Sequence, residues 1–248
     1  MVMEVKSKLY GKEVTLAKIT KIEYGVGQSN TSVYLTKQGS TVNPLQWDAY
    51  DNSGLVSKEV LSIGAKSNAT IVEALSKEAE SKFVLPVVQE TYTKGNTTYF
   101  EVVATFTPNT DLVVGEYTPE STVYLGVNDN KFYVNKDEVI ATGQMYYTYT
   151  NSKMKYVLWL NPNDLSKPTS SPTVRNQVYH AHITGFKEMG LPNNPLNPED
   201  PTPENPNTPT NPIDPKDPLV TEKTYLSASI SVVEWGLHSY SMDLGNEY

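Results

Sequence analysis

The chain lacks cysteine, holds one arginine and has no long apolar run, and each scarcity excludes a class of protein. Without cysteine there is no disulfide scaffold, thiol nucleophile, thiolate zinc site or lipid-bearing cysteine in these 248 residues. No apolar stretch approaches the ~20 residues of a transmembrane helix. The N-terminus also lacks the apolar core of a secretion signal, so if the protein is exported, its export signal belongs to a longer precursor.

Positive charge is scarce as well. The 20 basic side chains are outnumbered by 28 acidic ones, which gives a formal net charge of −8. Nucleic acids and anionic membranes both need a basic surface on their protein partner. The charge balance therefore predicts no nucleic-acid partner.

The abundant residues favour β-structure. Thr and Val each occur 26 times and Tyr 17 times, and these residue types fit a pleated, half-buried surface. Such a composition predicts an all-β protein that serves a structural or binding role.

Residues 1–190 read as one β-domain of short alternating strands with turn punctuation. Its clearest predicted strands are 98–106, 156–160 and 174–186, and Asn128-Asp129-Asn130 predicts a hairpin turn. One short helix is predicted over 69–81, with Asn68 as its cap, where it would plug an open end or cover an edge.

Residues 191–218 form a low-complexity segment rich in Pro, Asn and Asp. Prolines recur nearly every third residue from Pro192 to Pro218, which matches the three residues per turn of a polyproline II helix. The spacing predicts an extended, solvated spacer that could reach on the order of 80 Å.

Residues 219–248 alternate like a strand, although they follow a spacer. An apolar strand face needs a partner, so the tail either folds back as an edge strand or adds to the sheet of another molecule. In a strand that adds to another molecule's sheet, a polymerisation strand, the apolar positions would be Leu226, Ala228, Ile230, Val232, Trp235, Tyr240, Met242 and Leu244.

The sequence predicts no catalytic residue, no cofactor and no metal site. His180 and His182 share one face of a predicted strand, the geometry of two metal ligands, but no third ligand lies nearby. Asn128-Asp129-Asn130 lacks the glycine and distal glutamate of a calcium loop. No phosphate loop or nucleophile elbow is present, and paired acidic residues are ordinary on an acidic surface.

Aromatic residues leave one binding function open. Tyr146, Tyr147, Tyr149, Tyr156 and Trp159 lie close in sequence. Exposed rings would stack on sugars, whereas buried rings would pack across strands.

Several blocks of the sequence resemble the Bacteroidales fimbrillins. The C-terminal ones are 156–162 (YVLWLNP), 174–183 (VRNQVYHAHI), 229–235 (SISVVEW) and 237–244 (LHSYSMDL). Blocks 94–99 (KGNTTY) and 127–134 (VNDNKFYV) are similar as well. The chain looks like the C-terminal part of a fimbrillin of the short (minor) fimbriae of Porphyromonas.

This resemblance implies an antiparallel, transthyretin-like β-sandwich from a lipoprotein exported to the bacterial outer membrane. In such fimbrillins an arginine-specific protease removes an N-terminal strand, and the C-terminal strand of the next subunit fills the groove. These 248 residues show no counterpart of the family's N-terminal domain or lipid-bearing cysteine. The one arginine, Arg175, lies inside a predicted strand, so it is not expected to be the protease site. The donor role is therefore expected, and acceptance of another subunit's strand is not.

The implied partners are other copies in a homo-polymer, accessory tip and anchor subunits, and a receptor on a host or bacterial surface. The expected function is a structural subunit of an adhesive fimbria. The alternative is a tip adhesin or carbohydrate-binding module outside the shaft. An enzyme ranks third, because no site for catalysis is evident.

Overall fold

The computed structural model describes residues 4–9, 12–29, 51–59, 84–85, 92–160, 177–197, 199–200, 203, 206–209, 213–219 and 226–234. These residues form eleven strands and one α-helix, α1 (Lys136–Ala141). The strands are β1 (Glu4–Leu9), β2 (Lys12–Gly27), β3 (Asp51–Glu59), β4 (Tyr99–Pro108), β5 (Val113–Val114), β6 (Val123–Gly126), β7 (Phe132–Tyr133), β8 (Tyr146–Tyr149), β9 (Lys153–Trp159), β10 (Gln177–Phe186) and β11 (Leu226–Glu234).

The strands belong to two sheets. The larger sheet has the order β11-β10-β1-β2-β4-β9, and β3 also pairs with β2. The smaller sheet has the order β5-β7-β6-β8. Most pairs are antiparallel, but β1 runs parallel to β10 and β5 parallel to β7. The all-β prediction is confirmed, and the sheets are mixed rather than purely antiparallel.

One apolar core lies between the two sheets. Phe106 on β4 has its ring centroid 5.8 Å from Phe132 and 5.4 Å from Tyr149, which both belong to the smaller sheet. Ile19 on β2 and Leu125 on β6 are buried in the same cluster. Because the inner faces of both sheets supply these side chains, the architecture is a β-sandwich.

Local sequence sets the connections of the smaller sheet. The predicted hairpin is confirmed: β6 and β7 pair antiparallel around 127–131, and Asn130 takes a left-handed φ of 55° that asparagine tolerates. Helix α1 begins where Asn135 Oδ1 accepts the Asp137 N–H at 2.9 Å. Its Val139 is buried, so the helix covers the smaller sheet.

The predicted strands at 98–106, 156–160 and 174–186 correspond to β4, β9 and β10 within a few residues. The predicted helix over 69–81 and its Asn68 cap lie outside the described residues. In the part of the chain that the structure describes, the α-helix is α1, and no helix there is long and apolar enough to cross a bilayer.

Candidate functional site: the docked C-terminal segment

Strand β11 closes one edge of the larger sheet. It pairs antiparallel with β10 from Leu226↔Phe186 to Glu234↔Gln177. The register shifts once, between Ile183 and Gly185, where β10 contains an extra residue. The tail therefore folds back on its own domain, which is one of the two outcomes expected from its alternation.

The register of β11 sets apolar positions opposite apolar positions. The Cα partners of Leu226, Ala228, Ile230 and Val232 are Phe186, Ile183, Ala181 and Tyr179. Phe186 is buried in the core and Ile183 packs against it. Leu226 and Ala228 are thus paired with two residues of β10 that contribute to the core. Trp235, Tyr240, Met242 and Leu244 lie outside the described residues.

The proline-rich segment first contacts the opposite edge of the same sheet. Leu191 and Lys155 of β9 form an antiparallel bridge, with N–H···O distances of 2.7 and 2.9 Å. The hydroxyl of Tyr149 donates to the Gly190 carbonyl at 2.8 Å. This short bridge covers backbone groups of β9 that would otherwise form an open sheet edge.

Asn194 anchors the segment in the domain. The residue is fully buried, and its Nδ2 donates to the Tyr99 hydroxyl at 3.0 Å and to Glu101 Oε1 at 3.2 Å. Its backbone N–H donates to Asp200 Oδ2 at 2.8 Å, and Asp200 also pairs with Lys155. Burial, reinforced by the charges of Glu101 and Asp200, raises the pKa of Tyr99, so its hydroxyl keeps its proton.

Residues 213–219 dock against the turn at 92–97, and we call this contact the clasp. The Lys94 N–H donates to the Asp217 carbonyl at 2.9 Å, and the Gly95 N–H donates to the Pro215 carbonyl at 2.8 Å. Nζ of Lys94 lies 3.1 Å from Asp217 Oδ2, with only 3% of the Lys94 side chain exposed. Thr93 and Pro218 form an antiparallel bridge.

The clasp needs a glycine at position 95. A Cβ on Gly95 would lie 2.7 Å from both the Cβ and the carbonyl oxygen of Pro215, closer than real Cβ contacts. The Lys94 carbonyl on the other side of the turn accepts from Gln28 Nε2 and Trp159 Nε1, each at 3.1 Å. Hydrogen bonds from Gln28 and Trp159 therefore hold the turn in place, and its Gly95 packs closely against Pro215 of the segment.

The described part of 191–218 differs from the solvated rod that its proline spacing indicated. The physical reason is local: the side-chain oxygens of Asn194, Asn197 and Asp214 each accept the N–H two residues ahead, which bends the chain into turns. Each of these residues precedes a proline in the sequence. The division into a domain at 1–190, a spacer at 191–218 and a donor strand at 219–248 stays a prediction.

The remaining sequence-derived candidates fall in two groups. Tyr146, Tyr149 and Tyr156 are buried, which favours packing over stacking on sugars. Backbone pairing sets His180 opposite Ser231 and His182 opposite Ser229. Among the described residues, no group of three His, Asp or Glu side chains could hold a metal ion.

Sequence reasoning missed the residues that dock the segment, chiefly Lys94, Asn194 and Asp217. A signal for them exists in the recurring Asn-Pro and Asp-Pro pairs, because such pairs initiate turns. No sequence pattern indicates which turn of the domain receives them.

Comparisons with known proteins agree with the sequence motifs. A family model described as the C-terminal region of the type IV major fimbrial subunit protein, fimbrillin, matches residues 142–241. Two curated relatives from Porphyromonas gingivalis, each named minor fimbrium subunit Mfa1, are 29% identical over 282 aligned residues. The alignments cover 97% of this chain and 56% of each relative, so the chain spans about half the length of the relatives it matches. The resemblance to the fimbrillins is confirmed.

Proposed function

We propose that this chain, whose residues 142–241 match the fimbrillin C-terminal region, is a structural subunit of a bacterial fimbria. In this proposal the sandwich is of the transthyretin-like type, and the C-terminal segment enters a neighbouring subunit as an added strand. The partners are other fimbrial subunits in a homo-polymer, together with tip and anchor subunits. The polymer lies at the cell surface, attached to the outer membrane, and supports adhesion to a host or bacterial receptor.

The observation that carries the proposal is the pairing of β11. It is an outer strand, and in the described part of the chain β10 is its sole strand partner. A strand in this position can change partners without breaking the inner strands of the sheet. Its main-chain hydrogen bonds supply affinity in a new sheet, and its alternate side chains supply specificity.

Burial of the apolar row gives such a junction its strength. Six apolar positions, at ~1.5–3 kcal/mol each, give a gross gain of about 9–18 kcal/mol before ordering costs. The six positions are Leu226, Ile230, Val232, Tyr240, Met242 and Leu244. A gain of this size is enough for a durable polymer.

Matched substitutions on the two faces of the strand test the proposal. Ile230→Asp sets a carboxylate in the apolar row, and an unpaired buried charge costs several kcal/mol. Ser231→Asp, one residue along, points to the opposite face because strand side chains have a period of two. Both variants are made in the gene of the fimbriated bacterium, and fimbria length is measured by electron microscopy.

We expect Ile230→Asp to abolish or shorten the fimbriae and Ser231→Asp to leave them near normal length. Val232→Asp and Met242→Asp should repeat the first result. Equal effects at 230 and 231 would refute the donor-strand role and favour a binding module outside the shaft.

A further inference from the structure

The chain leaves β10 through a short stretch that is hydrogen-bonded to both sheets. The hydroxyl of Tyr156 on β9 donates to the Glu188 carbonyl at 2.8 Å, and the hydroxyl of Tyr149 on β8 donates to the Gly190 carbonyl at 2.8 Å. Both rings are buried in the core. In the described sheets β9 is the last strand of the larger one and β8 the last strand of the smaller one. Residues 188–190 therefore receive one hydrogen bond from the end strand of each sheet.

This stretch also fits closely against β9. Met189 packs against the core cluster. A Cβ on Gly190 would lie 2.7 Å from the Lys155 carbonyl oxygen and 2.8 Å from the Tyr156 ring, closer than real Cβ contacts. Only glycine lets the backbone approach β9 this closely. The stretch therefore occupies the space beside β9 that another strand would need.

The same part of the chain covers outward-facing backbone groups of both end strands. Leu191 exchanges two backbone hydrogen bonds with Lys155 of β9. Farther along, the Asn207 carbonyl accepts the Tyr146 N–H of β8 at 2.8 Å. Asn194, which lies between these two points in the sequence, is fully buried and anchors the chain. An uncovered end strand recruits strands from other molecules, so these contacts protect two edges with one segment.

We propose that residues 188–194 and 206–209, which we call the brace, close this side of the sandwich. They tie β8 to β9 and block the addition of any other strand to either edge, so the occupant of both edges is the chain's own segment. The brace lies at the end of the larger sheet opposite to β11. The inference therefore goes beyond the proposed strand donation and does not depend on it.

The two tyrosine hydroxyls are suited to a lasting link between the sheets. Burial raises the pKa of both Tyr149 and Tyr156, so each hydroxyl keeps the proton that it donates. Loss of one donor leaves a buried carbonyl without that partner, which costs more than the same loss in water. Removal of the hydroxyl on either sheet should therefore loosen residues 188–191 on both sheets.

Removal of single hydroxyl groups tests the link between the sheets. Tyr149→Phe deletes the bond from the smaller sheet to the brace and keeps the ring. Tyr133→Phe is the matched control, because its hydroxyl donates to Asp129 and not to the brace. Hydrogen exchange is measured by NMR in the full chain, at the Lys155 and Leu191 amides that join the brace to the larger sheet.

We expect Tyr149→Phe to accelerate exchange at these two amides about three- to tenfold, the range that loss of one hydrogen bond produces. Tyr133→Phe should leave their exchange unchanged. The Tyr149 hydroxyl bonds to neither amide, so acceleration there reports that the brace couples the sheets. Unchanged exchange in Tyr149→Phe, or equal acceleration in both variants, would overturn the link.

A backbone substitution tests the protection of the edges. Leu191→Pro removes the N–H that donates to the Lys155 carbonyl, whereas Leu191→Ala keeps it. We expect the proline variant to self-associate as protein concentration rises, measured by light scattering, and the alanine variant to stay monomeric. Equal behaviour of the two variants would overturn the protective role.

Circular dichroism checks the fold of every variant. If Leu191→Pro does not fold, Gly190→Ala replaces it, with Gly185→Ala as its control, because a Cβ at Gly185 meets nothing within 4 Å. Both readouts are independent of fimbria length. Failure of the brace in these tests would therefore leave the donor role of β11 standing.

Discussion

The sandwich core and the segment at 191–219 are held by different forces. Between the sheets, Phe106, Phe132 and Tyr149 meet as buried rings. Along the segment, Asn194 and Asp217 bind the domain through hydrogen bonds and an ion pair, and the apolar contribution is smaller, with Leu196 and Leu219 buried. Apolar burial is strong and insensitive to direction, whereas polar contacts have modest net strength and require specific partners.

Because of this difference, the sandwich core can stay folded while the segment at 191–219 detaches from it. Removing the segment exposes polar groups that water can satisfy and two buried leucines, fewer apolar side chains than the core holds, so its release costs less than opening the core. The core can therefore remain folded while the tail changes partners. Three substitutions in these regions test the contrast, and a fourth tests a peripheral ion pair.

The largest effect is expected from Phe106→Ala. This side chain is 1% exposed and reaches from the larger sheet to two rings of the smaller sheet, so its truncation leaves a cavity and should cost about 3–5 kcal/mol. The free energy of unfolding from urea denaturation is the measurement. Ile140→Ala is the control, since Ile140 is 44% exposed and its loss should cost at most about 1 kcal/mol. Similar costs at the two positions would contradict the two-sheet core.

The next effect is expected from Asn194→Ala. It removes the hydrogen bonds to Tyr99 and Glu101 and leaves buried polar groups less well satisfied, a cost of about 1–3 kcal/mol. Hydrogen exchange should show faster exchange in 191–200 and little change in β2 and β4. If exchange accelerates equally in β2 and β4, the segment and the core unfold as one unit and the contrast fails.

The sequence predicts the strands of the sandwich better than it predicts the polar contacts of the segment at 191–219. Strands β4, β9 and β10 are legible because each is a short run rich in β-branched and aromatic residues, the types that fit a pleated sheet. The hairpin at Asn128-Asp129-Asn130 is legible because few residues tolerate a left-handed turn. Docking of Asn194 and Lys94 was not predicted, since a polar side chain is compatible with water or with any suitably placed partner. The parallel pairing of β1 with β10 brings residues 5 and 186 together, and no local pattern encodes so distant a contact.

For the candidate site, the sequence predicts the strand itself but not the strand with which it pairs. The apolar phase predicts strand structure within 219–248, and β11 (Leu226–Glu234) lies in the first half of that range. Its partner was not predicted, because alternation specifies a face and leaves open which sheet edge receives it. The proline spacing indicated an extended rod, and the turns made by Asn194, Asn197 and Asp214 overrode it locally.

A comparable effect, confined to the clasp, is expected from Gly95→Ala. The added methyl group would press against Pro215, so the clasp should loosen at a cost of about 1–3 kcal/mol, in the range of other overpacked contacts. Gly185→Ala is the matched control, because a Cβ there meets nothing within 4 Å. Hydrogen exchange at residues 92–97 and 213–219 should accelerate in the first variant and not in the second. Unchanged exchange in Gly95→Ala would mean that the clasp does not limit opening.

The smallest effect concerns an ion-pair group at the surface of the larger sheet. Burial alone would raise the pKa of Glu23, but hydrogen bonds and charges from Lys153 and Lys21 outweigh it and lower the pKa below 4.5. Because the folded pKa lies below the unfolded one, the stabilisation is complete above about pH 4.5 and is lost as pH falls through the folded pKa. Both lysines are substantially exposed, so solvent screening limits the gain to at most about 1 kcal/mol.

The free energies of unfolding of the native chain and Glu23→Gln should therefore differ at pH 7 and converge towards pH 3. A difference that persists unchanged at low pH would show that Glu23 acts through packing rather than through its charge.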